Sequence, residues 1–375
     1  MNINGNRREF GMVLGALAAT AMGVPGDTHA KAQLPVMASR ENDLSVRVNA
    51  LPLIKPHALG SGAVVGLIAP GGVVDDAIIE KCVRNLTSVG FAVKLGKNIR
   101  AAHGGYAGSV AQRLADLHDM FLDSEVNAIW TARGGSGCAA LLPHIQYSLI
   151  RAHPKILIGY SDITALHLAF YRKAGLVTFH GPAAWSTFSD YSVSQMQAVL
   201  MSPRPETEIS MSVENSRKAI EQPEFALRTL QHGVAEGRLI GGNLSVLSAL
   251  IGTPFAAQIK NSLLFLEDVS EPPYRIDRML TQLQQSVGER GQKDGLRHAA
   301  GVMLGVFSKV RARDGDASLT LGEVIDEQLG GLPIPTVYGY SFGHIAHQFT
   351  LPIGVRARLN TAEQTLTLLE PAVRA

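Results

Sequence analysis

The sequence predicts an α/β protein in which an N-terminal domain on a mostly parallel sheet is followed by a strand-rich C-terminal α/β domain. Three observations predict it. Between residues 61 and 190, short apolar runs alternate with segments of helical period, the pattern of a parallel sheet covered on both faces. After residue 236 apolar runs return, separated by fewer helical segments. The composition, 46% hydrophobic and 18% charged over 375 residues, is that of a globular chain long enough for about two domains.

The first thirty residues stand apart. Arg7-Arg8 and Phe10 precede an uncharged stretch from Gly11 to Gly23 and a small, polar end at Thr28-His29-Ala30. This reads as a twin-arginine-like export signal, with the apolar stretch shorter than the about 20 residues that span a bilayer. The mature protein is then periplasmic or otherwise exported, without a stable membrane span. The alternatives are an uncleaved anchor, or a cytoplasmic protein if the signal is not used. Residues 31–60, rich in proline and without sustained period, read as a tether.

In the domain at 61–190, "AVVGLIAPGG" (63–72) is a buried strand closed by Pro and Gly. Ile78, Ile79, Val83 and Leu86 recur at helical spacing in 75–90 and stop at Gly90. "FAVKLG" is strand-like, 109–123 helical, and "VNAIWTARGG" (126–135) a strand running into glycines. "KILIGY" then leads into the helical "DITALHLAFYRKAG". Ligands of such sheets gather beyond the carboxyl ends of the strands, which places Ala69–Gly72, Arg133–Gly137 and Tyr160–Asp162 on one rim. Residues 191–236 are polar, contain Pro203, Pro205 and Pro223, and read as a linker. The C-terminal domain at 237–370 shows one clear helix, where Ile276, Met279, Leu280 and Leu283 follow Pro272-Pro273.

The net charge of +2, with no basic run longer than two residues, gives no support for nucleic acid or an anionic membrane as partner. Cys82 and Cys138 lie too far apart for a metal-type pair; an exported protein could join them, but they read better as two buried thiols.

Ser161, between a strand and a helix, reads either as a helix N-cap or as a nucleophile on a sharp turn. Its G-x-S-x-G match is partial, because Ile163 holds the fifth position. "GYS" recurs at Gly339-Tyr340-Ser341 without a following amphipathic helix, so Ser161 is the better candidate. "TARGGSG" (131–137) reads either as a tight glycine turn or as a backbone loop able to hold an anion or oxyanion. It is not G-x-G-x-x-G, so a dinucleotide cofactor is unsupported. His344, beside Gly343, is the candidate base. His344 and His347 lack a further ligand nearby, so no metal is expected. Glu267-Asp268 closes an apolar strand and reads either as a solvated acid pair or as the carboxylate that orients an imidazole.

The segments "ARGGSG", "GYSDITALHLAF", "GGNLSVLSALIGTPF", "FLEDVSEPPYRIDRMLTQL" and "FGHIAHQFTLPIG", in that order, resemble the motifs of the LD-carboxypeptidases. These are also called muramoyl-tetrapeptide carboxypeptidases, a serine-peptidase family that includes the microcin C immunity protein. The likeness runs from about Lys55 to about Asn360. It implies Ser161 as nucleophile, Glu267 and His344 as its partners, and an oxyanion hole from the N–H groups of Gly134 or Gly135 and of Asp162. It also implies a homodimer, a murein peptide substrate losing its terminal D-alanine, and no cofactor. Ser136 departs from the aromatic that the family often carries after its glycine pair, which bears on pocket selectivity. Recognition of a free carboxylate suits an arginine, and Arg133 is the candidate. Rival functions are an exported solute-binding protein and a related amidase acting on peptidyl-nucleotides or acyl-amino acids.

Overall fold

The computed structural model describes residues 51–375, except 289, 290, 292, 313, 314 and 316. The export signal and residues 31–50 of the expected tether lie outside the described residues. The rest of that tether is docked: Ile54 bridges Leu176, and Ala58 and Leu59 donate to the carbonyls of Arg374 and Leu200.

In the first half, strands β1 (Val64–Ile68), β2 (Ala92–Leu95), β3 (Ala128–Thr131), β4 (Ile156–Gly159) and β5 (Phe179–His180) pair in parallel in the order β5-β4-β3-β1-β2. Every residue of β3 and β4 is buried, which is why these strands read as continuous apolar runs rather than as alternation. The helices α1 (Asp76–Ser88), α2 (Val110–Leu122), α3 (Tyr147–Ala152) and α4 (Thr164–Ala174) fall between them. Their ends follow local chemistry. Asp75 accepts from the N–H of Ile78, Ser109 and Gln112 form a capping box, and α4 stops at Gly175 with φ 66°.

The polar stretch read as a linker is largely ordered. It holds α5 (Asp190–Leu200), β6 (Thr207–Ile209), α6 (Val213–Lys218) and β7 (Arg228–Gln231), and both strands join the second sheet. That sheet is completed by β8 (Val234–Asn243), β9 (Ser262–Glu267), β10 (Gly301–Val306), β11 (Thr336–Gly343), then, after the short β12 (Leu351–Pro352), by β13 (Arg356–Asn360) and β14 (Thr365–Leu368). Its order is β6-β14-β13-β8-β9-β10-β11-β7, with β8 to β11 parallel and the flanking strands antiparallel.

The second half carries α7 (Leu244–Ala249), α8 (Pro273–Gln285) and α9 (Leu321–Leu329) rather than the one expected helix. In α8 the buried residues include Ile276, Met279, Leu280 and Leu283, the predicted apolar stripe. The start of α9 was marked in the sequence by Thr320 and Glu323, which form a capping box.

The two halves interlock. β12 leaves the C-terminal half and pairs antiparallel with β5, becoming the sixth strand of the first sheet. Thr164 on α4 accepts from the N–H of Asn243 at 2.9 Å. Phe265 and Phe342 pack edge-on against His180 at 5.4 and 6.4 Å between ring centres. The carboxyl ends of β4, β9 and β11 are thereby held together.

Candidate active site

β4 ends at Gly159, and the chain turns through Tyr160 into the helical turn Ser161–Ile163 that leads to α4. Ser161 sits at φ 65°, a left-handed conformation that costs a non-glycine residue about 1–2 kcal/mol. Its hydroxyl makes no hydrogen bond among the described residues, and no side chain caps this turn or α4. Ser161 therefore caps neither the turn nor α4, and its strained conformation serves no hydrogen bond among the described residues. The second "GYS" behaves as an internal contrast: Ser341 lies on β11, buried, and its Oγ accepts from the Ser212 N–H at 3.0 Å.

The three expected loops do meet on one rim. Gly72 N–H donates to the Gly134 carbonyl at 2.8 Å. A Cβ placed on Gly134 would lie 2.7 Å from Ser161 Cβ and 3.0 Å from its Oγ. Close approach to Ser161, not backbone conformation, is what demands glycine here. Gly135, at φ 104°, needs glycine on both counts, since its Cβ would meet Gly72 at 2.7 Å. Two side chains fix the loop. Arg113 donates to the carbonyls of Pro70 and Gly137 at 2.8 and 3.0 Å, and Asp162 accepts from the Cys138 N–H at 2.9 Å. Sequence reading credited Asp162 with a backbone role only and missed Arg113 altogether, although Arg113 is a buried charge in an otherwise ordinary helix.

Glu267, the last residue of β9, is fully buried, and its Oε2 lies 2.7 Å from His344 Nδ1. Strand parity separates it from its neighbour: Glu267 shares a face with Phe265, while Asp268 turns away. Asp268 accepts from Asn243 Nδ2, from Ser245 N and Oγ, and from Val269 N. The His344 ring packs on Tyr160 at 4.8 Å, which brings it against the residue preceding Ser161. Its loop is anchored by the supposed linker. Ser192 on α5 donates to the Ala346 carbonyl and accepts from the Gln348 N–H, each at 3.0 Å.

The electrostatics suit a base and its orienter. Burial pushes Glu267 up, but the adjacent His344 outweighs it and holds the carboxyl below its usual value of 4.5. Burial pulls His344 down, and the Glu267 charge and hydrogen bond overcome it, leaving the imidazole above 6.5. The remaining Glu267 oxygen, Oε1, has no partner among the described residues.

Arg133 follows β3 and heads the glycine loop. Its guanidinium lies over the Trp185 ring at 5.5 Å, its Nε is buried without an acceptor, and no carboxylate pairs with it among the described residues. No group of three or more His, Cys, Asp or Glu that could hold a metal occurs among the described residues. Cys82 and Cys138 are both buried and free. Burial pushes Cys82 up to about 12 and raises Cys138, so both are inert thiols.

Two further buried histidines support this rim. His167 on α4 is fully buried, with Nε2 2.9 Å from the Gly159 carbonyl, and burial pulls it down to about 3. His180 on β5, enclosed by Tyr160, Phe265 and Phe342, is pulled down to about 4 by burial, with Glu267 and His344 nearby. A base whose folded pKa is depressed binds no proton where the unfolded chain does, so its contribution is complete above the unfolded pKa and lost as pH falls below it. Each ring should cost roughly 2 kcal/mol of stability at pH 5 relative to pH 7. His180→Phe is expected to keep the aromatic cage and lose less of its thermal midpoint than the parent between those pH values. Parallel midpoint-versus-pH curves would contradict this.

Comparison with known proteins places these motifs. A family profile described as the LD-carboxypeptidase N-terminal domain matches residues 65–181, and one described as the LD-carboxypeptidase C-terminal domain matches residues 236–359. A probable murein peptide carboxypeptidase of Bacillus subtilis is 40% identical over 84% of this chain and 94% of its own. The murein tetrapeptide carboxypeptidase of Pseudomonas aeruginosa is 33% identical over 79% and 92%. The crystal structure of an MccF-like protein from Bacillus anthracis superposes with a TM-score of 0.72 at 30% identity, covering 84% of this chain and 99% of that one. The strained serine, the glycine loop and the buried Glu–His pair thus stand in a chain that belongs to the LD-carboxypeptidase family and is a serine-type carboxypeptidase.

Proposed function

We propose that this enzyme removes the terminal D-alanine from murein tetrapeptides, with Ser161 as nucleophile, His344 as general base and acid, and Glu267 as the group that orients and charges the imidazole. The observation that carries the reading is the continuous set of contacts from Glu267 through His344 and Tyr160 to a serine forced into a left-handed turn. His344 Nδ1–H is committed to Glu267, which leaves Nε2 to take the Ser161 proton and pass it to the leaving amine. The tetrahedral oxyanion is met by backbone N–H groups. In a planar trans peptide the N–H points opposite to the carbonyl. The Gly134 carbonyl is turned to Gly72, so the Gly135 N–H faces the other way, consistent with a donor beside Ser161. The Asp162 N–H at the start of the helical turn is the second donor. Arg133 receives the substrate's free carboxylate. The names of the two carboxypeptidase relatives support the murein peptide assignment.

The test is mass spectrometry of a free-acid tetrapeptide incubated with the purified protein. Loss of one D-alanine is expected. An unchanged peptide, with cleavage of an acylated nucleotide instead, would move the assignment to the amidase branch. Binding without turnover of either would leave a solute-binding protein. Gly134→Ala is expected to lower kcat by about 10²–10³-fold, because its methyl displaces Ser161 and the adjacent oxyanion donor. An unaltered kcat would place the oxyanion elsewhere.

Two further expectations belong to this reading. The Arg7-Arg8 segment directs the protein out of the cytoplasm, and cell fractionation should find the processed protein there. Among the described residues, no helix is long and apolar enough to cross a membrane. The enzyme works as a homodimer, which sedimentation of the processed protein should show.

A further inference from the structure

Trp185 is 37% exposed and carries two cations: Lys81 Nζ of α1 at 5.4 Å from its ring centre and the Arg133 guanidinium at 5.5 Å. Two like charges beside one ring repel each other, and among the described residues no carboxylate forms an ion pair with either. A cation gathered by an aromatic face gains on the order of 1 kcal/mol, which does not by itself explain a guanidinium whose Nε is buried without an acceptor. The arrangement is also built rather than incidental. Ala184 and Trp185 donate through their backbones to Thr131 and Ala132 at 2.9 and 3.1 Å, locking this segment beside the strand that feeds the glycine loop. Asn85 of α1, one turn along from Lys81, donates to the carbonyls of Ala184 and Ser186 at 2.7 and 2.9 Å. Helix, loop and ring are therefore fixed relative to one another before any ligand arrives.

We propose that Arg133, Trp185 and Lys81 form a carboxylate subsite that restricts the enzyme to peptides with a free C-terminal carboxylate. The inference rests on the reading of Ser161 as nucleophile and deepens it. Arg133 directly precedes Gly134, which lies against Ser161, so the subsite borders the proposed nucleophile, and we assign it to the leaving-group side. Arg133 makes the direct contact, bidentate by its planar fork. Trp185 holds that fork in one orientation, and Lys81 adds a second positive charge at the rim. Restriction to exopeptidase action follows: an internal peptide bond, or an amidated end, would leave the half-buried Arg133 guanidinium without its counter-charge.

The test uses the inactive Ser161→Ala protein and calorimetric titration of one tetrapeptide in two forms, free acid and C-terminal amide. The acid should bind about ten- to a hundred-fold more tightly than the amide. Adding Arg133→Ala or Trp185→Leu should bring the acid to the level of the amide while leaving the amide unchanged. Lys81→Ala, an exposed change that leaves packing intact, should reduce the same difference, and Trp185→Phe should restore most of it. Equal binding of acid and amide overturns the subsite, as does loss of both forms alike in every variant, or no binding of either form. The proposed function fails by a different sign, the absence of D-alanine release by the unaltered protein.

Discussion

Ser161→Ala is expected to lower kcat for D-alanine release by about 10⁶-fold, the scale of loss when a serine peptidase is deprived of its nucleophile, with KM little changed. The fold should survive, because the hydroxyl makes no hydrogen bond among the described residues that holds the turn. A companion variant separates chemistry from structure. Ser161→Gly should be as inactive, yet more stable by about 1 kcal/mol, because glycine adopts φ 65° without penalty. For a chain of this size that is a rise of roughly 2 °C in thermal midpoint. The strain is then visible as stability given up to hold the proposed nucleophile in this turn. Retained turnover in the alanine variant, or a less stable glycine variant, would contradict this account of the turn.

Glu267→Gln is expected to lower kcat by about 10⁴-fold, the scale seen when the carboxylate of such a triad is made neutral. The pH profile carries more information than the rate. His344 acts as base only when unprotonated, so activity should rise with pH through an apparent pKa above 6.5, where Glu267 holds it. With the carboxylate removed, burial is the dominant remaining influence, and the acid limb should move to lower pH. A structural role for Glu267 would reduce activity without displacing that limb. An unshifted limb at reduced kcat would therefore argue against Glu267 as the charge partner of His344.

The sequence was most informative where one physical cause dominates. Buried parallel strands and capped helices were legible because period, caps and glycine stops agree, as in α1 with Asp75 and α4 with Gly175. Ser161 could be separated from Ser341 because only one of them stands between a strand and a helix. What was illegible depends on tertiary placement. The polar stretch at 191–236 looked irregular because edge strands such as β6 and β7 are short and carry little apolar signal, yet α5 within it anchors the His344 loop. The choice of Glu267 over Asp268 needed strand parity as well as the direction of a neighbouring imidazole. Trp185 gave no signal at all: its meaning arises only when α1 and the glycine loop each bring a cation to its ring.

The central claim is that a serine from the first half of the chain is activated by a histidine from the second. Its most direct measurement is the rate at which an organophosphonate ester labels the protein, with the modified residue located by peptide mass spectrometry. The account predicts label on Ser161 alone in the unaltered protein, and a rate lowered by several orders of magnitude in His344→Ala. Label on another residue, or labelling of Ser161 at an undiminished rate without His344, would contradict it.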